Sequence, residues 1–247
     1  RIDMSKIALI TGATSGIGAA LSQLLATNGF DRSLTGRRNK RLVELEQELS
    51  AKYKTKCLLL CFDVTKQDQV HTALDSLPGN WKEIDVLINN AGVHTTRRTL
   101  TESGLETVFC VNHLASFLLT RLLLHRLIES APARIIQVNS QGHRFGGLDL
   151  NDLNWEKRRY KGLKGYGASK TAQLLTVWEL ADKLRGSGVT INAIHPGEVR
   201  TNIGMNNGLL YQWYQRYLLW LILKDPVISG NGIYYLAAAP EMAGVSG

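Results

Sequence analysis

Tyr166 and Lys170, in the run Tyr-Gly-Ala-Ser-Lys at 166–170, are the side chains in this sequence best suited to moving a proton. Spaced four apart, they share one face of a helix, about a turn from each other. A phenol with an ordinary pKa near ~10 is a poor acid–base group at neutral pH. An ammonium one turn away favours the phenolate, lowers that pKa and makes the phenol a usable proton donor and acceptor. Tyrosine and lysine at this spacing are common, so the inference depends on their company. That company is Thr-Gly-Ala-Thr-Ser-Gly-Ile-Gly at 11–18, Asn-Asn-Ala-Gly at 89–92, Asn112, Ser140 and Pro196-Gly197.

The elements that must position these groups alternate along the whole chain. Apolar runs of strand length fall at 7–11, 32–35, 57–62, 86–89, 134–139 and 190–195, with helical patterns at 16–28, 40–53, 67–77, 102–129 and 166–185. Strands this apolar are buried on both faces, as in a parallel sheet covered by helices. The alternation predicts a single α/β domain over 1–247, a doubly wound Rossmann-type parallel sheet with helices on both faces. Neither a repeat nor a low-complexity tract interrupts it.

Composition narrows the function. At 247 residues and 44% hydrophobic, the chain suits one globular domain with a substantial core. A net charge of +8 invites a nucleic-acid or membrane-surface reading. The positive charges are scattered, though, apart from Arg37-Arg38, Lys40-Arg41 and Lys157-Arg158-Arg159, and no nucleic-acid-binding signature accompanies them. An anionic cofactor explains them more economically. Cys57, Cys61 and Cys110 lie in apolar runs without metal-ligand spacing, which predicts reduced core thiols in an intracellular setting, cytoplasmic or membrane-associated. No apolar run reaches the ~18 residues of a membrane span. The chain opens on Arg1 rather than Met, so the lack of an anchor carries little weight.

Each remaining motif has a physical reading. Glycines at 12, 16 and 18 let a strand-to-helix turn bend sharply and approach a ligand closely. The new helix start then favours a pyrophosphate through its free N–H groups and dipole. The spacing Gly-x-x-x-Gly-x-Gly differs from the common dinucleotide fingerprint, and a purely structural turn is the plain alternative. After the second strand comes Gly36-Arg37-Arg38, with no acid before Glu44. A carboxylate there would take the ribose hydroxyls of NAD, whereas an arginine fork suits a 2′-phosphate, so NADP is preferred. Asp63-Val64 offers a carboxylate to an adenine amine, and Asn89–Gly92 a tight passage beside the cofactor. Ser140 and Tyr166 fall at a strand's carboxyl end and a helix's start, where both hydroxyls could meet one substrate oxygen. Asn112 is a poor helix former inside a long helix, which a local kink or a bound water would justify. His94, His113, His143 and His195 lack metal spacing, and Gly-x-Ser-x-Gly is absent.

Together these runs resemble the short-chain dehydrogenase/reductase family over nearly the whole chain. The resemblance implies a tetrad of Asn112, Ser140, Tyr166 and Lys170. It also implies a backbone facing the nicotinamide at Pro196-Gly197 and a carboxamide contact at Thr201. With the readings above, the cofactor set is Gly12, Ser15, Gly16, Ile17, Gly18, Arg37, Arg38, Asp63, Val64, Asn90, Ala91, Gly92, Tyr166, Lys170, Pro196, Gly197, Val199 and Thr201. Asn112-His113-Leu114 with Phe117–Thr120, the stretch around Asp149–Trp155 and the terminal Ala243–Gly247 resemble the retinol-dehydrogenase-like branch. That implies NADP(H) and a lipophilic alcohol, aldehyde or ketone, interconverted by hydride transfer with Tyr166 as acid and base. Lys170 would bind the nicotinamide ribose, and Asn112 would hold a water linking Lys170 to solvent. Asn139 departs from a second serine frequent in the family, and Ala115-Ser116 from a Gly-His. The chain also stops where the family's last strand would begin. Rival expectations are a non-catalytic NADP-binding regulator and a membrane-surface protein on the same fold.

Two long stretches break the rhythm, 141–165 and 198–225. The second holds the aromatic run 209–223, read as a lid over an apolar pocket, with a buried helix or an interfacial membrane contact as alternatives. A homo-oligomer is also compatible with the sequence.

Overall fold

The computed structural model describes residues 5–201, 203, 204, 207, 208, 213 and 223–247. Its strands are β1 (Ile7–Ile10), β2 (Asp31–Gly36), β3 (Cys57–Cys61), β4 (Val86–Asn89), β5 (Ala133–Val138) and β6 (Val189–Ile194). They form one sheet, parallel at every pairing, in the order β3-β2-β1-β4-β5-β6. The winding reverses between β1 and β4, the doubly wound arrangement that the strand–helix alternation predicts.

The period-2 alternation of the strands feeds two cores. Leu9, Leu87 and Ile135 face one layer, with Leu74 of α3 (Gln67–Asp75), Leu119 and Leu123 of α4 (Thr107–Glu129) and Val177 of α5 (Gly162–Lys183). Ala8, Ile10, Ile88 and Ile136 face the other, with Leu21 and Leu25 of α1 (Gly16–Thr27), Leu42 of α2 (Asn39–Lys52) and Ile233 of α6 (Pro226–Ala238). Leu9, Ile10, Leu21 and Leu87 are wholly buried, so truncating any one to Ala would cost about 2–5 kcal/mol.

Several boundaries differ from expectation, each for a local reason. The helix expected from 102 begins at Thr107, because Glu106 caps it: its carboxylate accepts from Val108 N (3.0 Å) and Phe109 N (2.7 Å). The helix expected from 166 begins a turn earlier, at Gly162, so Tyr166 lies in its second turn. Helix α6 was not expected. Its signal was nonetheless present, since Asp225 Oδ1 accepts from Val227 N (2.9 Å) and Pro226 occupies the first turn. Thr107–Glu129 spans 23 residues and holds an 18-residue window with a mean hydropathy of 1.5, long and apolar enough to cross a membrane by length and composition. Its apolar stripe of Leu119, Leu123 and Leu127 is spent inside the core. The chain end runs along the free edge of β6, with Gly247 N donating to Ile191 O (2.9 Å) and Asn192 Nδ2 to Val245 O (2.8 Å).

Candidate active site

The carboxyl ends of β1, β4 and β5 converge where the winding reverses, and the motif residues gather there. Gly12 and Gly16 hold φ of +66° and +54°, which side-chain-bearing residues rarely adopt. Ser15, the N-cap of α1, makes no capping bond with its side chain and no acid stands in the first turn, so the N–H groups there suit an anion. Thr201 packs over this turn, its Cγ2 3.5 Å from where a Gly16 Cβ would lie. Pro196 is fixed by Ser229 Oγ, which donates to its carbonyl (2.6 Å), and Gly197 takes φ +80°. Val199 and Ile17 join the apolar layer beneath.

The Asn-Asn-Ala-Gly segment is bonded to the start of the glycine turn. Asn90 Nδ2 donates to the carbonyls of Thr11 (2.9 Å) and Gly12 (3.3 Å). Thr11 Oγ1 in turn accepts from the backbone N–H groups of Asn90 and Ala91, both at 2.9 Å. These bonds staple the β1 turn to the β4 turn and leave Asn90's amide engaged within the protein. Thr11 escaped the sequence reading, because a strand-end threonine has no local signature.

At the ends of β2 and β3, Arg37 lies 3.5 Å from Asp63 Oδ2, and Arg38 NH2 3.5 Å from Thr14 Oγ1. Asp63 Oδ1 also accepts from Thr65 N and Oγ1, which fixes the carboxylate beside Val64. Partial burial and the neighbouring Arg41 and Arg37 charges lower the Arg38 pKa, the mark of a cation cluster that would welcome an anion.

All four tetrad residues come together. Ser140, two residues past β5, hydrogen-bonds Tyr166 through its side chain and accepts from Gly142 N (3.0 Å). Gly142 must be glycine, since a Cβ there would lie 2.6 Å from the Tyr166 ring. The expected kink at Asn112 is a π-helical turn, Cys110–Leu114, inside α4. It turns the Asn112 amide out of the helix: Oδ1 accepts from Val93 N (2.8 Å), while Nδ2 donates to Val93 O (3.1 Å) and Ser169 Oγ (3.0 Å).

Lys170 departs from the expectation. Its Nζ is buried and donates to Val138 O (2.8 Å) and Gln173 Oε1 (3.3 Å), 5.8 Å from the centre of the Tyr166 ring. Burial pushes the Lys170 pKa down to about 7. The Tyr166 pKa is raised, because loss of water outweighs the Ser140 hydrogen bond. An amine so easily deprotonated is a weak source of positive field, so the lowering of the phenol pKa expected from the spacing is absent here.

Two of the histidines that spacing left without a role stand against this group. The His94 ring meets the Tyr166 ring edge-on, with centroids 5.6 Å apart, and His143 Nδ1 lies 2.9 Å from the Ser140 carbonyl. Asn207 is bonded to the stretch at 94–96: Oδ1 accepts from Thr96 N (2.6 Å) and Nδ2 donates to His94 O (2.9 Å). The run 209–223, expected as a lid, lies outside the described residues except for Trp213 and Leu223.

Comparison with known proteins gives the family. The family model for short chain dehydrogenase matches residues 6–209. Human (Homo sapiens) retinol dehydrogenase 13 is 36% identical over 98% of this chain and 75% of its own length. Mouse (Mus musculus) retinol dehydrogenase 14 is 38% identical over 98% and 76%. A solved closed form of serine dehydrogenase complexed with NADP+ is 26% identical, with a TM-score of 0.76 over 97% of this chain and 91% of that one. With the glycine turn, the strand-end asparagines and the Ser–Tyr–Lys cluster gathered at one switch point, the chain belongs to the short-chain dehydrogenase/reductase family and is an oxidoreductase.

Proposed function

We propose that the protein interconverts a lipophilic alcohol and its aldehyde or ketone with NADP(H), using Tyr166 as the proton donor and acceptor. The observation that carries this reading is the hydrogen-bonded Ser140–Tyr166 pair set beside Lys170 at the sheet's switch point. With its pKa raised, Tyr166 is a neutral phenol at physiological pH and holds a proton ready for a carbonyl oxygen. Ser140 Oγ can donate to the same oxygen and orient it. Both curated relatives are named for retinol, a lipophilic alcohol, which supports an apolar substrate.

The residues fit the cofactor. The positive-φ glycines and the uncapped α1 start suit a pyrophosphate, and the Arg37–Arg38 cluster suits a 2′-phosphate. When bound, the cofactor supplies or takes the hydride. A Cβ on Gly18 would collide with the Gly12 carbonyl and lie 2.7 Å from Asn90 Nδ2. Gly18→Ala is therefore expected to weaken NADPH binding at least about tenfold, an overpacking cost of ~1.4 kcal/mol or more. Calorimetric titration giving an unchanged Kd would count against the cradle.

The test of function is NADPH and NADH oxidation across a series of aliphatic aldehydes, with retinal, steroid and quinone carbonyls alongside. NADPH should bind at least about tenfold more tightly than NADH, ~1.5–3 kcal/mol from charge-assisted bonds. Replacing Arg37 and Arg38 by Ala should erase that preference. Catalytic efficiency should rise with chain length, about 0.8 kcal/mol of transfer energy per added CH₂. Equal affinity for the two cofactors, or a best substrate that is short and polar, would overturn the corresponding part of the reading.

A further inference from the structure

Gln173 and Asn139 belong to none of the motifs that pointed to the site, yet their amides touch three of its four members. Both are buried, at 2% and 4% exposure. Gln173 Oε1 accepts from Lys170 Nζ (3.3 Å) and from Asn139 Nδ2 (2.9 Å). Gln173 Nε2 donates to the Asn112 carbonyl (3.2 Å) and to Gln137 Oε1 (3.0 Å). Asn139 Nδ2 donates also to the Lys170 carbonyl (3.0 Å), and its Oδ1 accepts from Ser140 N (2.7 Å).

We propose that Gln173, seated by Asn139, is a positioning residue that fixes the Lys170 amine and joins it directly to the Asn112 carbonyl. The proposal rests on the tetrad reading given above. The Gln173 amide has one possible orientation, because the Asn112 carbonyl can only accept. All four of its hydrogen-bonding positions are then used, and a fully satisfied buried network is rigid. Without such an anchor, a four-carbon lysine stem with rotatable donors would have several ways to point. The network also accounts for Asn139 in place of the second serine. A serine has one proton and a shorter reach, so it could not serve both the Lys170 carbonyl and Gln173 Oε1. The resemblance implies a water at Asn112 that links Lys170 to solvent; the Gln173 amide adds a direct link between the Lys170 amine and the Asn112 carbonyl.

The chain and its Gln173→Glu, Gln173→Leu and Asn139→Ser variants provide the test. Lys170 is titrated by NMR of ¹³C-labelled lysine, with Lys170→Met assigning the signal, and turnover is followed with NADPH and an aliphatic aldehyde. The wild-type Lys170 midpoint is expected at about 7. A carboxylate at 173 faces the amine and should raise that midpoint by about one pH unit or more. Gln173→Leu should lower kcat about tenfold or more, with the aldehyde KM within about twofold, because the reacting groups are misaligned rather than the substrate lost. Asn139→Ser should lower kcat in the same way, by less. An unmoved Lys170 midpoint in Gln173→Glu would overturn the proposal. So would folded Gln173→Leu and Asn139→Ser variants that lose only thermal stability and keep wild-type kcat and pH profile. If Gln173→Leu fails to fold, the isosteric Gln173→Glu and the Asn139→Ser variant decide between these outcomes. The NMR arm needs no turnover, so a wild-type chain inactive on every carbonyl would sink the functional reading and leave the positioning role to be judged on the titration alone.

Discussion

Tyr166→Phe should abolish nearly all carbonyl reduction while leaving NADP(H) affinity within a few-fold. The substitution deletes one oxygen and keeps the ring, so the edge-on contact with His94 and the packing over Gly142 survive. What is lost is the hydroxyl that hydrogen-bonds Ser140, on the ring that lies beside Lys170. General acid catalysis of this kind is commonly worth about 10²–10⁴ in rate. Ser140 offers no substitute, since a serine hydroxyl is a far weaker acid than a phenol. Steady-state assays with NADPH and a long-chain aldehyde, together with calorimetric binding of NADP(H), would check both halves. If the variant keeps about a tenth or more of wild-type turnover, a residual far above what loss of a general acid allows, Tyr166 is not the acid.

The sequence made the frame of this site legible and left its internal wiring obscure, for physical reasons. The strands could be read because burial on both faces writes a continuous apolar run, as in Ile7–Ile10 and Val86–Asn89. The glycine turn could be read because positive φ admits few other residues. Asn112 announced its π-turn by being a poor helix former. By contrast, the relation of Tyr166 to Lys170 was misjudged from spacing alone. Two groups a turn apart are neighbours, but the buried Val138 carbonyl and Gln173 amide capture the amine, and at the phenol desolvation outweighs the Ser140 hydrogen bond. The amides of Gln137, Asn139 and Gln173 could not be paired in advance, because Gln137 lies near the close of β5, Asn139 follows that strand and Gln173 lies on a distant helix, and no local pattern links the three. Only the fold brings them within hydrogen-bonding distance.

Lys170 should leave a pH signature in stability that no other group in the site can imitate. Its pKa is 10.5 in an ordinary setting and about 7 when buried in the folded chain. Between those values the unfolded chain holds a proton that the folded chain has shed, so stability rises with pH across that window. Below about 7 both states are charged and the contribution is constant at its most unfavourable. Above 10.5 both are neutral and it vanishes. At about 1.4 kcal/mol per pH unit the whole span is of the order of 5 kcal/mol, or roughly 10–20 °C in Tm for a domain of this size. Lys170→Met removes the titration and keeps the bulk of the side chain. It also frees the Val138 carbonyl, a loss that does not depend on pH. Tyr160 and Cys110, raised by burial to about 12 and about 11, act in the opposite sense in alkali, since their unfolded forms ionise first. Both are common to the two proteins and cancel in the difference. Thermal unfolding of the nucleotide-free proteins should therefore show the stability of Lys170→Met relative to wild type steady up to about pH 7 and falling progressively toward pH 10. A difference that stays flat from pH 7 to pH 10 would mean that Lys170 remains charged inside the fold. The Val138 carbonyl and Gln173 would then be holding an ammonium, and the positive field expected from the Tyr–Lys spacing would be restored.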